Sequence, residues 1–210
     1  MDENRALIMT SGGMDSTVLV YWAIARGYTV VPMFVNYGQH CAKTELSTLR
    51  TILPVAEKER LAVIDVSDVF RLSPSRMIRE ADLWADAISS ADIMLPYRNL
   101  FLLATGAAFA ASSGCNVLMS AFINSNHAQE IDATKTFLIG ASTLIRECGG
   151  VAIEMPFRDM PKAEVARLGI ELSAPIAETF SCQVNANEHC GSCPNCVERL
   201  AALAALREVP

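Results

Sequence analysis

The stretch ALIMTSGGMDSTVLVYWAIARG, residues 6–27, decides the fold. Its first five residues form an apolar run too short for a helix, and the run stops at Gly12-Gly13. From residue 15 the apolar positions fall at helical spacing, and the pattern ends at Gly27, a common helix terminus. Strand, glycine turn and helix in that order form a setting where backbone N–H groups and the helix dipole hold an anion. Gly12 and Gly13 permit a tight turn and close approach to phosphate oxygens. Ser11, Ser16 and Thr17 supply hydroxyl donors. Neither of the two common nucleotide fingerprints, GxxxxGK with Ser or Thr and GxGxxG, is present. The lysine of the commonest cradle is missing, and an aspartate stands in the loop. Asp15 has two readings: the N-cap of the helix, or a contact to Mg²⁺ placed between carboxylate and phosphates that would otherwise repel.

Outward from this unit, strand-like and helix-like runs keep alternating. TVVPMFVNYG reads as a second buried strand with Pro32 an awkward member, and LAVIDVS as a third. Residues 43–59 between them look helical, with Pro54 expected to split the helix. Periodicity fades over residues 70–95, which read as a partly helical excursion or a mobile loop. RNLFLLATGAAFAASSG reads as a helix closed by Gly114, NVLMSAFI as a fourth strand, and residues 129–147 as a helix stopped by Cys148-Gly149-Gly150. VAIEMPF is a fifth strand, PKAEVARLGI a short helix with Pro161 in its first turn, and CVERLAALAALREV a closing helix. This order implies an α/β, Rossmann-like, mainly parallel five-stranded sheet with helices on both faces, and ligands bound beyond the strands' carboxyl ends. Thr10, Asn36, Phe122 and Phe157 lie near four of those ends.

The formal charge of −6 argues against broad binding to a phosphate backbone, which needs a basic face. A small anion held locally is not excluded. The acidic N-terminus is no signal peptide, and the longest weakly polar run is shorter than the roughly 20 residues of a membrane span. An odd number of cysteines, 7, without a secretion signal makes a disulfide framework a poor reading and points to a reducing cytoplasm.

Four of these, Cys182, Cys190, Cys193 and Cys196, follow the spacing C-x7-C-x2-C-x2-C. Four thiolates so close in sequence can close a tetrahedral site, and Zn²⁺ is its usual occupant. A redox CxxC pair or unrelated buried cysteines are the alternatives. A closed four-cysteine site has no open coordination position, so its expected work is structural: pinning the tail against the sheet and coupling its folding to metal. His189 reads as a spare, solvent-facing neighbour. Cys115 and Cys148 read as structural, and Cys41 lies near a loop that stays open as a weak candidate.

The loop SGGMDST resembles the PP-loop of the ATP pyrophosphatases, which grips the pyrophosphate that leaves when ATP is cleaved to AMP. Together with ETFSC and HCGSCPNCVER it resembles the 7-cyano-7-deazaguanine synthase (QueC) family. VNYGQ resembles that family's D-Y-G-Q, LPYRNLFLLATGAAFA its V-P-x-R-N-x-x-F-L, and MPKAEVARLG its D-K-x-E segment. The resemblance runs nearly the whole chain in order. It implies a PP-loop domain over residues 1–177 and a zinc-binding tail, 178–210, packed on it. It implies an enzyme that uses ATP with Mg²⁺ to adenylate the carboxylate of 7-carboxy-7-deazaguanine, lets ammonia displace AMP to an amide, and dehydrates the amide to the nitrile. Carried over by position, Ser11, Gly12, Gly13, Asp15, Ser16 and Thr17 would bind ATP phosphates and Mg²⁺. Arg98 and Asn99 would line the pocket, or else be a surface arginine and an N-cap. Lys162 would approach the phosphates, or else be a solvated first-turn lysine. Glu178 is a contact or a surface carboxylate. Tyr37, Gln39 and Asp132 fall on the substrate side, and the family's dimers imply a homodimer.

The departures cluster on that side. The family's Gly-Tyr-Pro-Asp-Cys-Arg after the fourth strand becomes INSNHAQEIDATKTF, in which Asp132 and Phe137 stay in step. Glu130-Ile131 replaces Tyr-Pro, and Thr134 stands at the arginine position, although an arginine fork is the natural clamp for a carboxylate. Lys135 is one residue off and only a point charge. The family's Gln-Arg-His becomes Gln39-His40-Cys41, with one extra residue before Glu45. These changes are those of a relative that keeps the activation chemistry and alters its acid or its amine, for instance an amine on a protein. A tRNA-modifying PP-loop enzyme would carry a basic extension, and none is visible. A scaffold protein would tolerate loss of Asp15 or Ser16, and both are present.

Overall fold

Five short apolar runs pair into one parallel sheet in the order β3-β2-β1-β4-β5. They are β1 (Arg5–Met9), β2 (Thr29–Asn36), β3 (Ala62–Asp65), β4 (Val117–Met119) and β5 (Ala152–Glu154). The structure is a computed structural model, and it describes residues 4–80, 92, 94–125 and 132–206. From β1 the chain builds outward through β2 and β3, then returns to place β4 against the other side of β1. The connections leaving β1 and β4 therefore diverge, which opens a crevice at their carboxyl ends.

Helices cover both faces, as the near-continuous apolar strands require. On one face α1 (Met14–Ala25), α2 (Ala42–Ile52), α6 (Lys162–Glu171) and α7 (Pro194–Ala205) pack Val18, Leu49, Val165 and Ala202 against Ile8, Val30 and Phe34. On the other, α4 (Arg98–Ser112) and α5 (Lys135–Gly149) pack Leu103 and Leu138 against Leu7, Val31 and Met33. Gly169 lets α6 lie against α1, since a Cβ there would meet Val18 Cγ2 at 2.8 Å. That close approach brings the start of α6 to the glycine loop after β1. No helix among the described residues is long and apolar enough to cross a membrane.

Pro32 sits inside β2 without breaking it, for a reason visible in the register. The Met33 carbonyl accepts from Thr10 N, so residue 33 faces β1, while the Val30 carbonyl accepts from the Arg60 side chain on the β3 side. Pro32 shares that outward side with Val30. Pairing with β3 begins only at Met33, opposite Ala62, so the missing N–H faces no partner strand.

Several boundaries differ from the expected ones. The helix before β3 is split at Pro54 as expected, into α2 and α3 (Val55–Glu59). β4 and β5 are shorter than their apolar runs, because residues beyond Met119 leave the sheet and line the crevice, and the chain turns soon after Glu154. Residues 70–80 hold no regular helix, and 81–91 with 93 lie outside the described residues. The helix expected over residues 129–147 starts at Lys135, with Thr134 as its N-cap accepting from Phe137 N. Residues 126–131 also lie outside the described residues. The closing helix starts two residues early, at Pro194, because the Cys193 side chain caps it.

Candidate active site and thiol cluster

The loop after β1 is shaped by its own short-range hydrogen bonds. Gly12 takes a φ of +74°, and a Cβ there would stand 2.6 Å from the Glu45 carbonyl oxygen, so a side chain is barred by both backbone angle and space. Ser11 N donates to Ser16 Oγ at 3.2 Å, and Gly13 N donates to Ser11 Oγ at 3.3 Å. Thr17 Oγ donates to the Gly13 carbonyl at 2.8 Å. Gly13, with extended backbone, is the N-cap of α1, which corrects the reading of Asp15 as the cap. Asp15 is the second helical residue instead, and its carboxylate is turned into the crevice. The N-terminal dipole favours an acid there.

The carboxyl ends of β1, β2 and β4 open into a cavity of about 340 Å³, within the usual range for small-molecule sites. Ser11, Gly13, Asp15 and Ser16 line one part of it. Tyr37, Gln39, Arg98, Asn99, Asp132 and Lys162 line the rest, so the fold gathers residues spread over 150 positions of sequence. Gly12 and Thr17 are buried behind the loop and leave the cavity wall to their neighbours.

Lys162 is not a solvated first-turn lysine. Its Nζ lies 3.1 Å from Asp15 Oδ2 and 3.9 Å from Glu198 Oε2, and all three side chains are largely buried. Asp15 Oδ1 is also buried, and it has no hydrogen-bond partner. Burial pushes the Asp15 carboxyl above its ordinary range, an effect that Lys162 opposes and does not cancel. An unpartnered carboxylate oxygen beside a phosphate-type loop is a donor set that fits a hard cation such as Mg²⁺.

Arg98 and Asn99 open α4, but neither is its cap. Tyr97, exposed and with a left-handed φ of 64°, occupies that position. Asn99 is buried in the first turn, where its Nδ2 donates to the Asp132 carbonyl at 3.0 Å and its N–H to Asp132 Oδ2 at 3.3 Å. Arg98 Nε donates to Asn99 Oδ1, and its charge faces the buried Tyr37 phenol. Gln39 is spent on structure. Its Oε1 accepts from Tyr37 N at 2.9 Å, and its Nε2 donates to Val35 O and, at 2.9 Å, to Glu45 Oε2. At the departures, Thr134 uses its hydroxyl as a cap, and Lys135 pairs with Asp159 at 3.1 Å on the surface, outside the cavity.

The tail forms the remaining wall. Phe180 N donates to the Gly12 carbonyl at 2.9 Å, and Phe180, Ser181, Gln183 and Glu198 line the cavity. Behind them the Sγ atoms of Cys182, Cys190, Cys193 and Cys196 all lie within 4.8 Å of one another. A zinc–sulfur tetrahedron has edges of about 3.8 Å, so the cluster needs only a small contraction to close on an ion. Backbone N–H groups of Asn185, Cys193 and Cys196 point at three of the sulfurs, as thiolates require. Cys41 packs into the same cluster, joining the loop before α2 to the tail. His189 is exposed as expected, yet it accepts from Ser181 N and stacks on Phe180. Arg199, unremarked in the sequence beyond its place in CVER, is buried and holds the turn at 176–179 by bonds to Thr179 Oγ1 and the carbonyls of Ile176 and Ala177.

A family model described as "Queuosine biosynthesis protein QueC" matches residues 5–207. The chain belongs to the QueC family. It matches curated proteins along nearly its whole length. It is 29% identical to 7-cyano-7-deazaguanine synthase 1 of Desulfitobacterium hafniense, over 97% of this chain and 93% of that protein. It is 30% identical to 7-cyano-7-deazaguanine synthase of Chlorobium phaeobacteroides, over 94% and 91% respectively. Among solved structures this QueC-family chain is similar to the U34-tRNA thiolase NcsA from Methanococcus maripaludis, at a TM-score of 0.55 and 14% identity, covering 96% of this chain and 65% of that one. It is also similar to a 4-thiouridine synthetase solved with RNA and ATP, at 0.53 and 13%, covering 98% and 51%. These two likenesses speak for the fold alone. The sequence reading missed Glu45 and Glu198 as cavity residues, because each reaches the site from a helix whose pattern reads as ordinary amphipathic packing.

Proposed function

We propose that the protein activates the carboxylate of 7-carboxy-7-deazaguanine with ATP. A carboxylate oxygen attacks the α-phosphorus and pyrophosphate leaves. Ammonia then adds to the acyl carbon and AMP departs, leaving the amide. A second activation, on the amide oxygen, lets that oxygen leave on AMP as the nitrogen loses its protons, giving the nitrile. The single observation behind this reading is Asp15, whose buried and unpartnered oxygen stands beside a glycine loop with Lys162 at 3.1 Å. Such a constellation suits binding and departure of pyrophosphate rather than transfer of a terminal phosphoryl group.

In this reading Ser11, Gly12, Gly13, Ser16 and Thr17 shape the phosphate site. Asp15 would hold Mg²⁺, which when bound neutralises the phosphates, and Lys162 exchanges its carboxylate partner for phosphate oxygens. Arg98, an arginine the family also carries, is the guanidinium left on the cavity wall to face the acid. Asp132 orients the start of α4, and Tyr37 and Gln39 form the floor. Cys182, Cys190, Cys193 and Cys196 would hold Zn²⁺, making residues 178–210 a metal-organised tail on the domain of residues 1–177.

Acid-dependent exchange of labelled pyrophosphate into ATP, followed by mass spectrometry of the product formed with ammonium, tests the proposal. Exchange with the deazaguanine acid and formation of the nitrile are expected. Exchange that needs no acid, or follows an unrelated acid, overturns it. One observation favours a second reading: neither Thr134 nor Lys135 brings charge to the cavity. Exchange without nitrile formation would support that reading, in which the activated acid passes to another amine, such as one on a protein.

A further inference from the structure

The wall of the cavity at the end of β2 carries a charged group that the proposed reaction does not use. Glu45, on the first turn of α2, lines the cavity beside Met33, Phe34, Tyr37 and Leu102. Its backbone carbonyl packs against Gly12, so the side chain is in register with the glycine loop. Its orientation is set from behind. Gln39 must point its oxygen at Tyr37 N, which leaves its amide nitrogen aimed at Glu45 Oε2, at 2.9 Å. Cys41 sits near the same carboxylate, and Arg98 adds a more distant positive charge.

A carboxylate has about four lone-pair positions. Gln39 fills one from the protein side. The others look into a space walled by apolar and aromatic side chains, where a bare anion is costly unless donors meet it. The carboxylate on this wall therefore suits a definite chemistry: a flat heterocycle offering two adjacent N–H donors. The aminopyrimidinone edge of a deazaguanine does so, with its ring N–H and exocyclic amine matching the two oxygens. Adenine does not, because its ring nitrogen on that edge is an acceptor and would face the carboxylate lone pairs.

We infer that Glu45 is a specificity-determining residue that accepts both donors of the aminopyrimidinone edge of the acid substrate, with Gln39 as the positioning residue behind it. This rests on the function proposed above and names the group that would choose the ring. Glu45→Gln keeps the size of the side chain and the bond from Gln39, but replaces one acceptor by a donor.

The experiment uses the full chain with its metal and acid-dependent ATP–pyrophosphate exchange. The acids are 7-carboxy-7-deazaguanine and the analogue lacking the exocyclic amine. Wild type should take the analogue with a KM roughly tenfold to hundredfold higher, since a lost hydrogen bond to a charged partner costs about that much. In Glu45→Gln the KM for the full acid should rise roughly tenfold to hundredfold, the analogue should change little, and the KM for ATP should stay put. Undiminished discrimination in the variant overturns the inference, as does a rise in KM for ATP alone. Should the variant not fold, a wild-type preference near unity overturns it as well. Failure of wild type to exchange with any deazapurine acid overturns the parent function, and this inference with it.

Discussion

The two halves of the cavity are made differently. One half, to which the proposed function assigns the phosphates, is one contiguous loop, in which Ser11, Gly13, Ser16 and Thr17 bond to each other over a few residues. The other half, to which it assigns the acid, is assembled from distant segments: Tyr37 and Gln39 after β2, Glu45 on α2, Arg98 and Asn99 on α4, Asp132 before α5. A loop whose geometry is local keeps its sequence signature on any scaffold. A wall built from four places has none, and it can change one side chain at a time.

Replacing Asp15 by Asn should give the largest effect, because it removes the buried, unpartnered carboxylate oxygen beside the glycine loop. Exchange activity should drop roughly a thousandfold, in the range of losing a main electrostatic contact to the reacting groups. A drop of less than tenfold would break the claim that the local half carries the chemistry. Gly12→Ala comes next and acts on folding. A Cβ 2.6 Å from a backbone oxygen at φ +74° should cost about 2–4 kcal/mol, read as a lowered denaturant midpoint. Arg98→Lys tests the other half. The KM for the acid should rise roughly tenfold as the planar fork is lost, while the KM for ATP is unchanged. Equal effects on both would merge the two halves into one.

The smallest effect is a pH dependence. Burial raises the Glu45 carboxyl above the ordinary 4.5, with Gln39, Cys41 and Arg98 opposing. The folded state then holds the proton more tightly than the unfolded state, so stability declines as pH rises from about 4.5 through the folded value. Glu45→Gln removes this penalty. Its Tm should match wild type below that window and exceed it above, and the reverse order would refute the burial.

Legibility in the sequence followed the same division. Strands, their order-giving alternation with helices, and the glycine loop rest on contiguous patterns, and all could be read. Pro54 as the break between α2 and α3 rests on one residue's chemistry and was equally plain. The four cysteines converge as their spacing implied. Asn99 was harder. Cap or buried contact turned on the left-handed backbone of Tyr97, a conformation that tyrosine rarely takes and sequence does not announce. Arg199 and Glu198 sit on adjacent positions of one helix yet serve different ends, one holding a turn and the other facing Lys162. Nothing in the spacing of CVERLAAL separates those duties. Lys135 was near the site in sequence and is absent from it in space, drawn off by Asp159.

Arg158 gives the divergent segment a particular status. Its guanidinium donates to the Ile123 carbonyl at 3.5 Å and to the Ala133 carbonyl at 3.0 Å. Asn124 N donates to the Met160 carbonyl at 3.0 Å, clamping the same stalk from the other side. Both ends of the stretch between residues 124 and 132 are thus fastened to one connection, the turn that leads into α6. The clasps hold backbone carbonyls, of Ile123, Ala133 and Met160, so a change of wording between them leaves the clasps' own contacts intact. In the second reading proposed above, a different acceptor would then call for no new scaffold, only a different insert between two existing clasps.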